Sequence, residues 1–143
     1  MTRGATACLL GCAFFILADS TQPAGAADTT NAPRVKIYDD TADGFKQVAD
    51  AVAVAGKNHK RILLDFGYNG CYWCQKLHEL FQNDKAVRAK LKAGYVVVYI
   101  DWSRTHNEKV DAKYEARTLY GAPSLVILDS DGTKLVTVHN PIR

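Results

Sequence analysis

The stretch Ile62-Leu63-Leu64-Asp65-Phe66-Gly67-Tyr68-Asn69-Gly70-Cys71-Tyr72-Trp73-Cys74-Gln75-Lys76-Leu77 decides how this chain is read. It begins as an apolar run of strand type with one acid inside it. A glycine-containing turn follows, and then a C-x-x-C that opens a helical pattern. The order matters because a thiol is a nucleophile only as the thiolate. The free N–H groups and positive dipole end of a helix N-terminus stabilise that anion.

Working outward, the chain has 143 residues, which suffices for one domain with a real core. Its net charge of +3 is mild, and no basic stripe is interleaved with aromatics, so nothing calls for nucleic acid as a partner. Arg3 precedes an apolar run from about Ala5 to Ala18, followed by Pro23 and then Ala24-Gly25-Ala26-Ala27. This reads as a secretory signal peptide over 1–26, cleaved after Ala26 or Ala27. The alternative is an uncleaved membrane anchor, but the run is short for a bilayer and Asp19 bounds it. Leu9-Leu10-Gly11-Cys12 loosely resembles a lipoprotein box, with too few residues before it to supply an apolar region.

Cleavage changes the cysteine arithmetic. Of four cysteines, Cys8 and Cys12 leave with the signal, so Cys71 and Cys74 are the mature pair. Arg3 and Asp19 leave together, which keeps the charge balance. Exported domains stapled by disulfides use more cysteines at wider spacing, and a C-x-x-C closes too small a loop to constrain much unfolded chain. The pattern points to redox chemistry in an oxidising, periplasmic or extracellular, compartment.

Residues 27–34 form a loose polar leader, and the domain runs over 35–143. Val35-Lys36-Ile37-Tyr38 alternates like a short first strand. Asp43 is placed to cap a helix over 44–55, with Phe45, Val48, Ala49 and Val52 on one face and Gly56 at its end. Arg61 to Phe66 is a buried strand. Leu77, Leu80 and Phe81 continue the helix after the cysteines, and Asn83-Asp84 breaks it and caps another with Val87 and Leu91 inward, ending at Gly94. Tyr95 to Ile100 reads as a central strand. Thr105-x-x-Glu108 fits a capping box for a helix reaching Gly121. Ser124 to Leu128 is a strand, Asp129 to Gly132 a turn, and Lys134 to His139 a hairpin partner. The fold class is α/β, a mixed sheet of four to five strands flanked by helices, parallel early and antiparallel at the end.

Asp65 six residues before Cys71-x-x-Cys74, a strand ending in Asp101, and Gly121-Ala122-Pro123 before a strand together resemble the thioredoxin superfamily. The resemblance covers roughly 45–140. Cys71-Tyr72-Trp73-Cys74, with Asp84, Val87, Leu91 and Tyr95 beyond it, is most similar to the branch that includes the C-terminal periplasmic domain of DsbD and proteins carrying C-H-W-C. The insertion between Asp101 and Pro123, relative to thioredoxin itself, also fits that branch.

Each position also has its own physical reading. Cys71, at the helix N-terminus and partly exposed, is the candidate nucleophile. Cys74, one turn on, is the resolving thiol for thiol–disulfide exchange. The alternatives are a structural disulfide or, with His78 four residues on, three ligands of a metal site lacking an evident fourth. Asp65 inside an apolar strand should have a raised pKa, and the resemblance gives the matching acid the role of taking the Cys74 proton. The alternative is an exposed aspartate at the sheet edge. The resemblance makes Pro123 a cis-proline facing the disulfide, with the Ala122 backbone free to pair with a substrate strand. By itself Pro123 is a strand-start proline. Tyr72 and Trp73 could stack on a partner protein, or Trp73 could pack in the local core. Tyr68 and Trp102 could line the same groove.

Two departures stand out. The lysine common in thioredoxin's central strand is replaced by Val96 to Val98, which alters the charge environment of Asp65. The family's last helix should follow about Asn140, yet the sequence stops at Arg143, which would leave a sheet face open to a homodimer or docking partner unless the chain is incomplete. The expected function is an exported thiol–disulfide oxidoreductase acting on protein thiols and disulfides, as reductase or isomerase-type donor, fed by a membrane-bound electron donor. No nucleotide, flavin or metal motif accompanies it. The alternative is a non-catalytic module, either carrying Cu(I) on Cys71, Cys74 and His78 or holding a partner.

Overall fold

Strand β1, Arg61–Gly67, is the axis of a four-stranded sheet and is buried along all but its first residue. The structure is a computed structural model that describes residues 34–103, 106–116 and 118–138. The expected signal peptide, the leader up to 33, the cap at Thr105 and the chain beyond 138 lie outside the described residues. Helix α1, Gly44–Asn58, precedes β1. Helices α2, Tyr72–Asn83, and α3, Lys85–Gly94, lead into β2, Tyr95–Asp101. Helix α4, Glu108–Tyr114, and a 3-10 turn, Thr118–Tyr120, lead into β3, Ser124–Leu128, and β4, Lys134–Val138.

The strand order is β2-β1-β3-β4. β1 pairs parallel with β2 and antiparallel with β3, which places Asp65 opposite Tyr99 on one side and Leu125 on the other. The alternation of a strand then sorts the β1 side chains onto two faces. Ile62, Leu64 and Phe66 join Val48, Ala51 and Ala55 of α1, Val110 and Tyr114 of α4, and Val98, Ile100, Val126 and Leu128 of the neighbouring strands in the main core. Burial of each large side chain there contributes roughly 1.5–3 kcal/mol. Leu63, Asp65 and Gly67 point to the opposite face, where α2 lies.

Several local expectations hold. Asp43 caps α1 by accepting the Lys46 N–H at 3.0 Å. Asp84 caps α3 by accepting the N–H groups of Ala86 and Val87, each at 2.9 Å. The Asp129–Gly132 turn closes the β3–β4 hairpin, with Gly132 at φ 88°.

Others are corrected. Val35–Tyr38 is not a strand, because the Ile37 and Tyr38 backbone groups bond to the Asn69 side chain instead of a ladder. β2 is accordingly an edge of the described sheet and not a central strand, and a groove of about 410 Å³ lined by Ile37 and Val96–Val98 runs beside it. Helix α1 runs through Gly56 and ends at His59 in the left-handed region, φ 53°. Its buried face is Gly44, Val48, Ala51 and Ala55, while Phe45 and Ala49 are exposed. The face is rotated because Gly44 packs against the Asn107 side chain, a contact across 63 residues. Leu80 is exposed and Leu77, Val87 and Leu91 are only half-buried, which leaves Phe81 as the buried apolar anchor in that part of the chain. Helix α4 starts at Asn107 without a side-chain cap and stops at Tyr114, where Asp111 takes the Thr118 N–H and hydroxyl and turns the chain.

Replacing Asp84 by alanine removes both cap bonds of α3. Urea unfolding should show a stability loss of about 1 kcal/mol, with a lower midpoint and an unchanged slope.

Candidate active site

The turn after β1 is closed by the Cys71 N–H donating to Tyr68 O at 3.0 Å, and it delivers Cys71 to the N-cap of α2. The Cys71 backbone is extended there, and its sulfur accepts the Cys74 N–H at 3.1 Å. A sulfur thus does what a serine or aspartate oxygen does at other helix starts. On reduction the same N–H and the helix dipole would face a thiolate at Cys71. In this structure Cys71 and Cys74 form a disulfide, with Cα atoms 5.2 Å apart.

Cys74 is fully buried and Cys71 is 6% exposed. Cys71 is therefore less open than the sequence suggests, yet it is the residue of the pair that keeps any exposure. Its cover comes from Tyr38, with Ile37, Tyr99 and Ala122 packed around the three buried side chains. The Ala122–Pro123 peptide is cis. The Ala122 carbonyl oxygen lies 3.7 Å from Cys71 Sγ, a contact that becomes a hydrogen bond only when reduction supplies an S–H. Trp73 is 66% exposed and Tyr72 is exposed beside it, their rings edge-on at 5.2 Å. Trp73 does not pack in the core. Tyr68 turns toward a cavity of about 680 Å³ lined with Asn69, Asp101 and Ser103, whereas the Trp102 indole N–H is buried and unpartnered.

Asp65 is completely buried in the middle strand, not at a sheet edge. Its Oδ1 accepts the Tyr38 hydroxyl at 3.0 Å, and its Oδ2 has no partner. Burial raises its pKa to about 7, with the Tyr38 hydrogen bond pulling the other way. Burial first, and then the charge of Asp65, push the Tyr38 phenol far above its ordinary range, so it stays a donor. Gly67, two residues on along the same face, leaves room for the site: a methyl there would stand 2.7 Å from Cys74 Sγ and closer still to the Tyr38 hydroxyl.

His78 does not join the cysteines. Its Nδ1 lies 3.3 Å from the Tyr99 hydroxyl, and among the described residues no three His, Cys, Asp or Glu are grouped to hold a metal ion. The three-ligand set of the carrier alternative is therefore not assembled. Tyr38, Gly67 and Asn69 are site residues that the sequence reading missed. Gly67 was open to inference from its spacing to Asp65, but Tyr38 reaches Asp65 across 27 residues with no local signal.

The thioredoxin-like domain family matches residues 48–139. The chain belongs to this family. A disulphide isomerase from Xylella fastidiosa Temecula1 is 32% identical, with 72% of this chain and 79% of that one aligned and a TM-score of 0.67. A DsbH oxidoreductase is 25% identical over 65% of this chain and 70% of that one, TM-score 0.52. The oxidised C-terminal domain of DsbD from Neisseria meningitidis, 20% identical over 71% and 87% of the two chains with TM-score 0.51, shares the fold. No curated protein matches. Among the described residues no helix is long and apolar enough to cross a membrane.

The buried acid makes stability pH-dependent. An unfolded aspartate titrates near about 3.9, whereas folded Asp65 titrates at about 7. The folded state therefore keeps a proton that the unfolded chain releases. The contribution of Asp65 is fully present below about pH 4, falls as pH rises and levels off above about pH 7. The difference in unfolding free energy between oxidised wild type and Asp65→Asn should follow that curve, with a span on the order of 4 kcal/mol.

Proposed function

We propose that this chain is an exported thiol–disulfide oxidoreductase acting on protein disulfides, as a reductase or isomerase-type donor. The observation that carries the reading is the Cys71–Cys74 disulfide at the N-cap of α2, with a buried carboxyl on the adjoining sheet face. The likeness to the Xylella disulphide isomerase supports the same class of reaction.

The proposed steps use the cysteine pair and the buried carboxyl. In the reduced protein, the Cys71 thiolate attacks one sulfur of a substrate disulfide, and the other substrate sulfur leaves as a thiolate. Asp65 takes the proton of Cys74. The Cys74 thiolate attacks Cys71 Sγ, restores the Cys71–Cys74 disulfide and releases the second substrate thiol. The substrate gains two electrons and the cysteine pair loses them. A membrane-bound thiol donor is the proposed source that reduces the pair again. Tyr72 and Trp73 offer aromatic surface to the substrate protein, and Ala122 and Pro123 offer a backbone edge beside the reacting sulfur. The sequence pattern of 1–26 supports export, and with it the periplasm or the outside of the cell.

The test is reduction of insulin disulfides in the presence of dithiothreitol. Turnover should vanish in Cys71→Ser, and Cys74→Ser should accumulate a mixed disulfide. Asp65→Asn should slow release of that mixed disulfide at least tenfold more than its formation. A donor should show a reduction potential near about −270 mV; a value near about −120 mV would make the protein an oxidant and defeat the stated direction. No turnover by the wild type would defeat the reaction itself.

A further inference from the structure

Residues 34–38 belong to no helix or strand, yet they are strapped across the active-site turn. Asn69 Oδ1 accepts the N–H groups of Ile37 and Tyr38 at 2.8 and 3.0 Å, and Asn69 Nδ2 donates to Tyr38 O at 2.9 Å. Gln75 Nε2 donates to Val35 O at 2.9 Å, and Arg34 Nη1 to Gly70 O at 3.3 Å. These anchors of the strap lie in the turn that carries Cys71 or in the first turns of α2. The side chain it delivers is Tyr38, which is buried against Cys71 and Cys74.

The two oxygens of Asp65 are not equivalent. Oδ1 holds the Tyr38 hydroxyl, while Oδ2 is buried without a partner. The Tyr38 hydroxyl and Cys74 Sγ both fill the space that a side chain at Gly67 would take, so the tyrosine stands near the sulfur that must lose a proton. We infer that Tyr38 is a positioning residue for proton transfer: its hydroxyl engages Oδ1 of Asp65 and leaves Oδ2 as the oxygen that receives the Cys74 proton. This rests on the exchange reaction proposed above. In the step, the Cys74 thiol and the Asp65 carboxylate become a thiolate and a carboxylic acid. The sulfur electron pair then forms the bond to Cys71 Sγ, and the substrate sulfur departs with the pair from the broken mixed disulfide.

The environment of the acid limits what else could set its protonation. Tyr38 faces it from the strap, Tyr99 from β2 and apolar Leu125 from β3. The cysteine sulfurs close the site from the α2 side. Asp101, two residues beyond Tyr99 on the same face, acts on the Tyr38 hydroxyl, and His78 sits further out on the Tyr99 hydroxyl. Burial disfavours the carboxylate, and the hydrogen bond from Tyr38 favours it. It offsets part of the burial effect, so that with a pKa of about 7 a substantial fraction of Asp65 is ionised near neutral pH and able to accept a proton.

The experiment titrates the Asp65 carboxyl carbon by NMR in the oxidised protein, wild type against Tyr38→Phe, which keeps the ring and removes the hydroxyl. The midpoint should rise from about 7 by about one pH unit. The pH profile for release of the mixed disulfide should move up with it. In an Asp65→Asn background, Tyr38→Phe should not change that release rate further. Placing 3-fluorotyrosine at position 38, a stronger donor of nearly the same shape, should move the midpoint down, which keeps the test decisive if the phenylalanine variant does not fold. An active wild type whose midpoint ignores both replacements, or equal rate losses in the two backgrounds, overturns this inference alone. A wild type with no insulin reduction overturns the parent reading and this inference with it.

Discussion

The arrangement depends on one unfavourable burial. A carboxyl sits in the middle of the central strand, between Tyr99 and Leu125, with one oxygen bonded and the other bare. Hydrocarbon at that position would be more stable, because removing a carboxylate from water costs several kcal/mol unless it is partnered or neutral. The surroundings fit this burden. Gly67 makes space, Tyr38 supplies the single hydrogen bond, and the main core lies on the opposite face, where it is free of polar groups from β1. The sheet thus has an apolar core face and a face that carries the buried acid and the cysteine pair, divided by the alternation of one strand.

The second constraint is the helix start. Cys71 is both the cap of α2 and the less buried cysteine of the pair, so under the proposed reaction the group that satisfies a helix N–H is also the one that attacks. A cap that leaves its post to attack a substrate gives up one hydrogen bond of modest net value. Under the proposed exchange reaction, the exposed Tyr72 and Trp73 rings next to it would give a protein partner, unlike a small thiol, added contact area.

Much of this was legible in the sequence wherever the cause was local. The run from Ile62 to Gly67 reads as a buried strand because nearly every residue is apolar. The caps at Asp43 and Asp84 and the Asp129–Gly132 turn follow from side chains acting on their own neighbours. The cysteines and Asp65 are legible for the same reason. What the sequence did not disclose depends on contacts between distant residues. Asn107 rotates α1 by packing on Gly44, and Asn69 satisfies the backbone at Ile37 and Tyr38 that the alternating pattern assigns to a ladder. Tyr38 looks like one more apolar strand residue until the strap brings it to Asp65.

The strap has a consequence for where the working unit begins. The family match starts at residue 48, and the first regular element starts at Gly44, both downstream of Tyr38. A boundary drawn by secondary structure or by family resemblance would keep every strand and both cysteines. It would remove Tyr38, among the described residues the only hydrogen-bond donor to the buried acid, and expose the inner sulfur's flank. Modularity of fold and modularity of chemistry therefore part company here: a fragment could take up the same shape and still lack the hydrogen bond to its buried acid.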